Sequence, residues 1–225
     1  GQWSATNYFA TCQSAVFSKP AKVTLTFAGS AIATGGPRQV FAVRLKHVGY
    51  VSKEAEIRLY SVHFKAGDTA ADITARDLEC ANLRNNMNAA SSAVTPNFLV
   101  CGDTNFYGDW EGGYLRLTES QADNDGRCTD PLTMPGTWNQ SAYAAHHTQS
   151  TCSSGCPSGF VGGGLDDRFD LFLTSYSLQD GEGLDLVPGG YVPYGNDAQH
   201  YNSSVNAGVN YAVGMIIATA LFFSS

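Results

Sequence analysis

Three short segments combine an apolar run with polar residues that could take part in acid–base or phosphate chemistry. His63 and Lys65 end the first run, Asp103 and Asn105 follow the second, and Asp170 lies at the start of the third. Histidine and carboxylate groups can exchange protons with a reacting group, and cationic or amide groups can bind phosphate. Strand ends hold such groups rigidly, as an active site requires. We therefore predict that the polar residues of these three segments form the candidate site.

Each segment also has a structural interpretation. A Gly-Asp step is common in turns, so Asp103 and Asn105 could form an Asx-turn that caps the next segment. His63 could be an ordinary hydrogen-bonded residue, and Arg168 with Asp170 could be a surface ion pair of little energetic value. The occurrence of all three segments in this order favours the functional interpretation.

The spacing of apolar residues predicts the elements that carry these segments. Residues 56–101 predict a strand, a helix and a strand, which is a βαβ unit with a helix layered over a sheet. Residues 102–164 are rich in Gly, Asn, Asp, Ser and Thr and predict a long ordered excursion, a feature that is often functional. The predicted strands are Lys22–Phe27, Gln39–Leu45, Glu56–Phe64, Asn97–Cys101 and Phe169–Thr174, and the predicted helices are Asp72–Asn88 and Tyr114–Thr118.

Length and composition limit the classes of protein. The 225 residues, of which 43% are hydrophobic, predict one globular domain over residues 1–225. Thirteen basic and twenty acidic residues give a net charge of -7. Proteins that neutralise many phosphates of a duplex usually have a basic face, so the charge argues against tight non-specific nucleic-acid binding. The apolar stretch Ala212–Phe223 is shorter than the roughly 20 residues of a membrane-spanning helix and predicts a core-facing segment.

The six cysteines permit disulfides in an oxidising compartment. Cys152 and Cys156 could close a small ring or pair elsewhere. A zinc site with His146 and His147 has weak support, because no second pair of residues has metal-ligand spacing. The low charged fraction of 15% favours a secreted or cell-surface protein.

Several short motifs resemble those of the endonuclease/exonuclease/phosphatase family. VHFK at 62–65 resembles the family's VHLK element, GDTN at 102–105 resembles its GDxN motif, and RFDLFL at 168–173 resembles its RxD strand. Arg76 and Glu79 match the R..E pattern of the intervening helix. The resemblance implies an α/β (α+β) fold, a four-layer α/β/β/α sandwich of two packed mixed β-sheets that is incomplete at both ends.

Three further motifs resemble a secreted, bacterial branch of that family. HTQS at 147–150 and DDRFD at 166–170 match the branch, and YGNDA at 194–198 resembles its YGNDG element. Ala198 stands where the branch more often has glycine, so the turn geometry at this position departs from the pattern.

The resemblance implies a role for each matching residue. His63 would bind the scissile phosphate and stabilise its developing charge. Asp103 would orient or deprotonate the attacking water, and Asn105 would position the water or the phosphate. Asp170 would hold a catalytic histidine in one tautomer. The implied metal, Mg²⁺ or Mn²⁺, would be held by Asp103 and Asn105, and the implied substrate contacts are Lys65, Arg168, His147 and Asn196.

Other elements of the family pattern have no counterpart in this chain. They are an early Asn, a metal-binding Glu and a late Asp-His pair, so the histidine that Asp170 would support is missing. We expect residues 1–225 to be at most feebly active, as a piece of a longer protein or as a natural truncation that became a binding module. We also expect unpaired sheet edges, and hence poor solubility or assembly with a covering partner.

Three functions compete. The first is an extracellular, metal-dependent nuclease or related phosphodiesterase whose substrate is nucleic acid. The second keeps the fold but acts on a phospholipid or sphingolipid head group, or as a phosphatase, and the acidic composition favours such smaller or lipid substrates over long duplexes. The third is a non-catalytic surface or structural protein derived from this fold.

Overall fold

The computed structural model describes residues 2–6, 8–158 and 161–212, whose contacts divide them into two compact units. The described residues of Gly1–Asn105, Glu111–Thr133 and Leu171–Pro188 form the first unit. Those of Phe106–Trp110, Met134–Asp170 and Gly189–Ser225 form the second unit. A single domain over residues 1–225 stays a prediction.

The described residues contain two sheets. Two short strands, β1 (Ser4–Ala5) and β2 (Phe17–Ser18), form an antiparallel ladder. The larger sheet contains six strands, which are β3 (Val23–Ile32), β4 (Val40–His47), β5 (Glu56–His63), β6 (Phe98–Asp103), β7 (Cys128–Thr129) and β8 (Asp170–Ser175).

The larger sheet has the order β3-β4-β5-β6-β8-β7 and is mixed. β3, β4 and β5 pair antiparallel, β5 and β6 pair parallel, and β7 pairs antiparallel with β8. Parallel strands need a long crossover connection, which a helix supplies between β5 and β6. The α/β class and the predicted βαβ unit are therefore confirmed.

β3 extends to Ile32, past the predicted end at Phe27. Its register with β4 shifts twice, between Leu25 and Phe27 and between Phe27 and Ser30. Gly29 has a φ of 127°, which only glycine adopts readily, so the strand continues through a bulge. The sequence-based prediction was too short because the bulge interrupts the period-two alternation.

The first helix, α1 (Ala70–Ala93), is longer than the predicted Asp72–Asn88. Thr69 caps it, since the Thr69 side chain accepts a hydrogen bond from the Asp72 backbone and the Asp72 carboxylate accepts one from the Thr69 backbone. The buried face of the helix recurs at intervals of three to four residues, as an amphipathic helix requires, and comprises Arg76, Glu79, Cys80, Leu83, Arg84, Met87 and Ala90.

The predicted excursion after β6 contains little regular structure. Its elements are the short helix α2 (Gly112–Thr118), strand β7 and a 3-10 turn at Ser141–His146. Cys152 and Cys156 form a disulfide, so the small ring is confirmed, and the other four cysteines are free thiols. No described helix is long and apolar enough to cross a lipid bilayer. The predicted core-facing segment Ala212–Phe223 lies, apart from Ala212, outside the described residues.

Candidate functional site

The centre of the first unit's candidate site is the pair His63 and Asp103. These residues end the parallel strands β5 and β6, and the strand register places them directly opposite each other. His63 Nε2 lies 3.5 Å from Asp103 Oδ2, and the two side chains are 34% and 36% exposed. Carboxyl ends of adjacent parallel strands share one edge of a sheet, which is why the sequence pattern could predict this neighbourhood. A histidine and a carboxylate therefore lie together and open to solvent.

The GDTN segment has a backbone shape that glycine and asparagine make possible. Gly102 has a φ of 128°, and a Cβ atom there would lie 2.3 Å from the Val62 carbonyl oxygen. Asn105 has a φ of 54°, in the left-handed region that asparagine tolerates. The Asp103 carboxylate accepts a hydrogen bond from the Asn105 backbone at 3.1 Å, which is the Asx-turn of the structural interpretation. The turn and the exposed carboxylate occur together.

Asn105 supports the strand end from inside the protein. It is 5% exposed, and its side-chain nitrogen donates to the Phe64 carbonyl oxygen at 3.2 Å. Its predicted contact with water or phosphate stays a prediction, and the observed contact ties the end of β6 to the end of β5.

Lys65, a predicted substrate contact, is engaged with the start of α1. Its ammonium group forms an ion pair with Asp72 and donates to the Ala66 carbonyl oxygen at 2.6 Å. The hydrogen bond from Lys65, followed by that from Thr69, lowers the pKa of Asp72 to about 2. In this structure Lys65 therefore stabilises the connection between β5 and α1.

A buried cluster holds that connection in place. The Arg76 guanidinium donates to the Lys65 and Gly67 carbonyl oxygens at 2.8 and 2.7 Å, and the Glu79 carboxylate accepts from the Lys65 backbone at 2.9 Å. Arg76 also forms a two-point ion pair with Glu111 at 2.9 and 3.0 Å, with both side chains fully buried. Arg76 and Glu79, the residues of the R..E pattern, therefore hold the backbone that follows His63 in place.

Glu111 was missed by the sequence analysis. It lies 35 residues from Arg76 in a turn-rich stretch, and no local pattern connects the two.

Burial raises the pKa of Glu79, although the hydrogen bond from the Lys65 backbone acts in the opposite direction. Its Oε1 atom is buried and has no hydrogen-bond partner among the described residues.

In the second unit, His147 and Asn196 have structural partners. His147 is fully buried, and its Nε2 atom donates to the Trp138 carbonyl oxygen at 2.8 Å. The Asn196 side-chain nitrogen donates to the Ala144 and His147 carbonyl oxygens at 2.7 and 2.9 Å. These predicted substrate contacts satisfy backbone groups of the loops, as buried polar groups must.

Arg168 is likewise part of the framework of the second unit. Its side chain is fully buried, and its guanidinium lies 5.2 Å from the Trp138 ring centroid and 5.1 Å from that of Tyr191. It also donates from Nε and Nη2 to the Tyr191 hydroxyl at 3.3 and 3.1 Å. A planar guanidinium between two aromatic rings is a packing arrangement that lysine cannot reproduce.

Asp166 and Asp167 were not selected from the sequence as site residues, but they are unusual carboxylates. Burial, followed by the charge of Asp166, raises the pKa of Asp167 to about 7. Burial also raises the pKa of Asp166. Asn139 donates to both at 3.3 and 3.5 Å, and the Oδ1 atom of each has no partner among the described residues.

Asp170 lines a cavity of about 320 Å³ in the second unit, together with His147 and Asn196. Its backbone nitrogen donates to the Thr148 hydroxyl at 3.0 Å, and its carbonyl oxygen accepts from Tyr191 at 3.2 Å. No described residue donates a hydrogen bond to its carboxylate, and the role predicted for Asp170 stays a prediction. The Asp170 carboxylate is exposed and available to a ligand.

The predicted metal ligands do not form a complete ligand set. The described residues contain no group of three or more His, Cys, Asp or Glu side chains that could hold a metal ion. Asp103 uses Oδ1 for the Asn105 backbone and turns Oδ2 towards His63, while Asn105 is buried. Mg²⁺ and Mn²⁺ prefer several oxygen ligands in octahedral geometry. The described side chains therefore do not fit such an ion.

No protein-family model matches the chain, and no curated protein sequence matches it significantly. Solved structures do match it. Truncated TDP2 from Caenorhabditis elegans is similar with a TM-score of 0.50 and 13% identity over 77% of this chain and 61% of that chain. The human nocturnin catalytic domain is similar with a TM-score of 0.48 and 16% identity over 80% and 58%.

An endonuclease/exonuclease/phosphatase family protein from Bacteroides thetaiotaomicron is also similar, with a TM-score of 0.44 and 12% identity over 77% of this chain and 59% of that chain. The chain thus spans about three fifths of the length of these structures. The chain has the endonuclease/exonuclease/phosphatase fold, and the resemblance stated from the motifs is confirmed at this level. The secreted bacterial branch stays a prediction.

Proposed function

We propose that this chain carries the His–Asp centre of a phosphoester hydrolase that cleaves phosphodiesters by in-line attack of water. The observation that carries the proposal is the pair His63 and Asp103, 3.5 Å apart and about one third exposed at adjacent strand ends. The fold, which it shares with the matched structures, supports the same class.

The two side chains have complementary roles in this reaction. Asp103 accepts a proton from the attacking water while the water oxygen forms a bond to phosphorus. His63 donates a hydrogen bond to a non-bridging phosphoryl oxygen, where negative charge develops. The bond from phosphorus to the leaving oxygen breaks, and that oxygen takes a proton from solvent. The buried Arg76, Glu79 and Glu111 fix the backbone beyond His63 and so hold the pair in register.

The resemblance favours nucleic acid as the substrate class and a secreted or cell-surface location. The Cys152–Cys156 disulfide supports an oxidising compartment. The net charge of -7 favours the second candidate, a phosphodiester smaller than a duplex, such as a lipid head group. Comparing turnover of plasmid DNA, single-stranded RNA and sphingomyelin separates these substrates.

The centre is tested with His63→Gln and Asp103→Asn on an activated diester, bis(p-nitrophenyl) phosphate. We expect weak hydrolysis by the wild type and a reduction of about 100-fold in kcat/KM for each variant, as for the loss of an acid–base or electrostatic group. His47→Gln and Asp68→Asn make the same changes at exposed sites of the first unit and should leave the rate unchanged. Equal rates for His63→Gln, Asp103→Asn and the wild type would falsify the proposal.

The predicted dependence on Mg²⁺ or Mn²⁺ is tested in the same assay. Because the described residues lack a full ligand set, we expect the weak rate to be insensitive to EDTA. A fast rate that requires Mg²⁺ and disappears in Asp103→Ala would contradict both this expectation and the expected feeble activity, while leaving the assignment of Asp103 intact.

A further inference from the structure

A cavity of the first unit lies at the opposite end of the larger sheet from His63 and Asp103. Its volume of about 480 Å³ is within the range for small-molecule pockets, roughly 300–1,000 Å³. The backbone nitrogen of Phe98, where β6 begins, donates to Ser175 Oγ at 3.1 Å, and Ser175 lines the cavity. β6 ends at Asp103, and its six residues span about 17 Å. The cavity is therefore separate from the strand-end pair.

One wall of the cavity presents a hydrogen-bond acceptor. The Ser177 hydroxyl donates to the Pro96 carbonyl oxygen at 2.9 Å, and Ser177 Oγ lies 2.9 Å from Ser175 Oγ. Because a hydroxyl group has one proton, Ser175 must be the donor in the bond between the two serines. Ser177 Oγ then keeps a lone pair but has no proton left for a ligand. This wall suits a ligand that donates from a hydroxyl group.

The charge of the cavity comes from Arg127. Its Nε atom donates to the Thr118 carbonyl oxygen at 2.7 Å, and its two Nη atoms have no hydrogen-bond partner among the described residues. No Lys, Asp or Glu of the described chain lines the cavity, and Thr129 adds a hydroxyl group beside the guanidinium. The cavity therefore favours an anionic ligand.

A single guanidinium also limits the charge of that anion. A carboxylate carries one negative charge and accepts two parallel hydrogen bonds from the planar group of an arginine. A phosphate monoester carries a charge of about −1.5 to −2, so one arginine would leave part of that charge uncompensated. A carboxylate is thus the better match to Arg127.

An aromatic ring completes the lining. Tyr176 begins the 3-10 turn Tyr176–Leu178 directly after β8, and it is 71% exposed although it lines the cavity. A sugar ring has an apolar face of C–H groups that can pack on an aromatic ring, and hydroxyl groups around its edge. A simple aliphatic carboxylate would leave both Tyr176 and the acceptor at Ser177 without a contact.

We propose that this cavity is a binding site for a sugar carboxylate of the uronic acid class. The carboxylate accepts hydrogen bonds from Arg127, a ring hydroxyl donates to Ser177, and the C–H face of the sugar packs on Tyr176. The site is a second, non-catalytic one, and it does not depend on the proposed hydrolase function.

Direct binding to matched probes tests the ligand class. The probes are methyl glucuronide and methyl galacturonide, each paired with the uncharged methyl hexoside that has a hydroxymethyl group in place of the carboxylate, and acetate. Titrations followed by NMR give the affinities. We expect at least one uronide to bind, and its uncharged counterpart and acetate to bind at least about tenfold more weakly. Equal affinity of a uronide and its counterpart, equal affinity of acetate, or no binding of either uronide overturns the proposal.

Substitutions assign the contacts. Arg127→Gln should lower the affinity of the uronide to that of its uncharged counterpart, and Tyr176→Leu should weaken both sugars. Arg38→Gln and Tyr50→Leu change an arginine and an exposed tyrosine of the first unit that do not line the cavity, and both should leave binding unchanged. Urea unfolding verifies that each variant is folded, and the exposed Tyr176 provides a test that does not depend on the Arg127 variant. Unchanged uronide binding in folded Arg127→Gln or in Tyr176→Leu contradicts the assignment.

Discussion

Similar polar residues are partly exposed in the first unit and fully buried in the second. In the first unit, the side chains of His63 and Asp103 are 34% and 36% exposed at the end of two parallel strands. In the second unit, His147 and Arg168 are fully buried, although their motifs resemble functional ones equally well. The pair at the ends of β5 and β6 is therefore open to a substrate, whereas His147 and Arg168 are part of the interior of the second unit.

The reason for this difference lies in the backbone. Strands β5 and β6 pair through their own backbone groups, and the side chains of His63 and Asp103 at their ends are about one third exposed. The described residues of the second unit form few strand pairs, and side chains such as His147 and Asn196 bond the carbonyl oxygens of its loops. These motif residues of the second unit therefore stabilise the loops in which they lie.

The largest loss of stability is expected at the buried ion pair of Arg76 and Glu111 in the first unit. Glu111→Ala removes the carboxylate that neutralises Arg76 where both side chains are 0% exposed. An uncompensated buried charge costs about 3–5 kcal/mol, so we expect a loss of that order in the free energy of unfolding. Urea denaturation measures it.

The matched control is the exposed pair of Arg116 and Asp77, whose side chains are 52% and 33% exposed. Asp77→Ala should cost at most about 1 kcal/mol, as for surface pairs. Similar losses for Glu111→Ala and Asp77→Ala would show that the Arg76 cluster does not hold the strand end, and that the open pair His63–Asp103 is positioned by the strands alone.

In the second unit, the corresponding test is Asp167→Asn. The pKa of Asp167 is about 7 when folded and near 3.8 when unfolded, because burial and the charge of Asp166 disfavour ionisation. The folded state binds more protons between these values, so the stability contribution of Asp167 is full below pH 3.8 and is lost as the pH rises to about 7. Asp167→Asn should remove this loss.

The measurement is the free energy of unfolding from about pH 4 to about pH 8 for both proteins. We expect the variant to gain stability relative to the wild type as the pH rises, with the change complete above about pH 7. Asp68→Asn, at an exposed position, is the control. Parallel pH curves for the wild type and Asp167→Asn would show that the buried carboxylates of the second unit titrate normally.

Much of the fold could be predicted because its elements have regular periods. The five predicted strands and two predicted helices are all present, and the early start of α1 could have been found from the capping box at Thr69 and Asp72. The bulge at Gly29 and the short strand β7 could not, because a period-two pattern detects neither an interrupted strand nor a two-residue one.

The candidate site could be predicted only where two strands meet. His63 and Asp103 follow from parallel pairing, but Glu111 depends on a contact across 35 residues of sequence. The burial of Arg168 and His147 also lacks a local signal, since arginine is mostly exposed in proteins and histidine is intermediate. The packing of Trp138 and Tyr191 against Arg168 gives that residue a structural role that becomes visible in the folded chain.

The smallest effect is expected for a substitution of Arg168, which tests whether this residue stabilises the second unit or contacts phosphate. Arg168→Lys keeps the positive charge but removes the planar group that lies over Trp138 and Tyr191. We expect a loss of about 1–2 kcal/mol in the free energy of unfolding, because lysine cannot stack on both rings. Affinity for inorganic phosphate, measured by calorimetry, should stay unchanged.

The opposite result for Arg168→Lys would change the contrast between the two units. A normal stability with weakened phosphate binding would place Arg168 at a substrate site, despite its 0% exposure, and would require the second unit to open around it. Because a fully buried guanidinium can reach a phosphate only after such a movement, the variant would then also slow phosphate association in stopped-flow measurements. Loss of stability alone leaves the strand-end pair of the first unit as the exposed chemical centre.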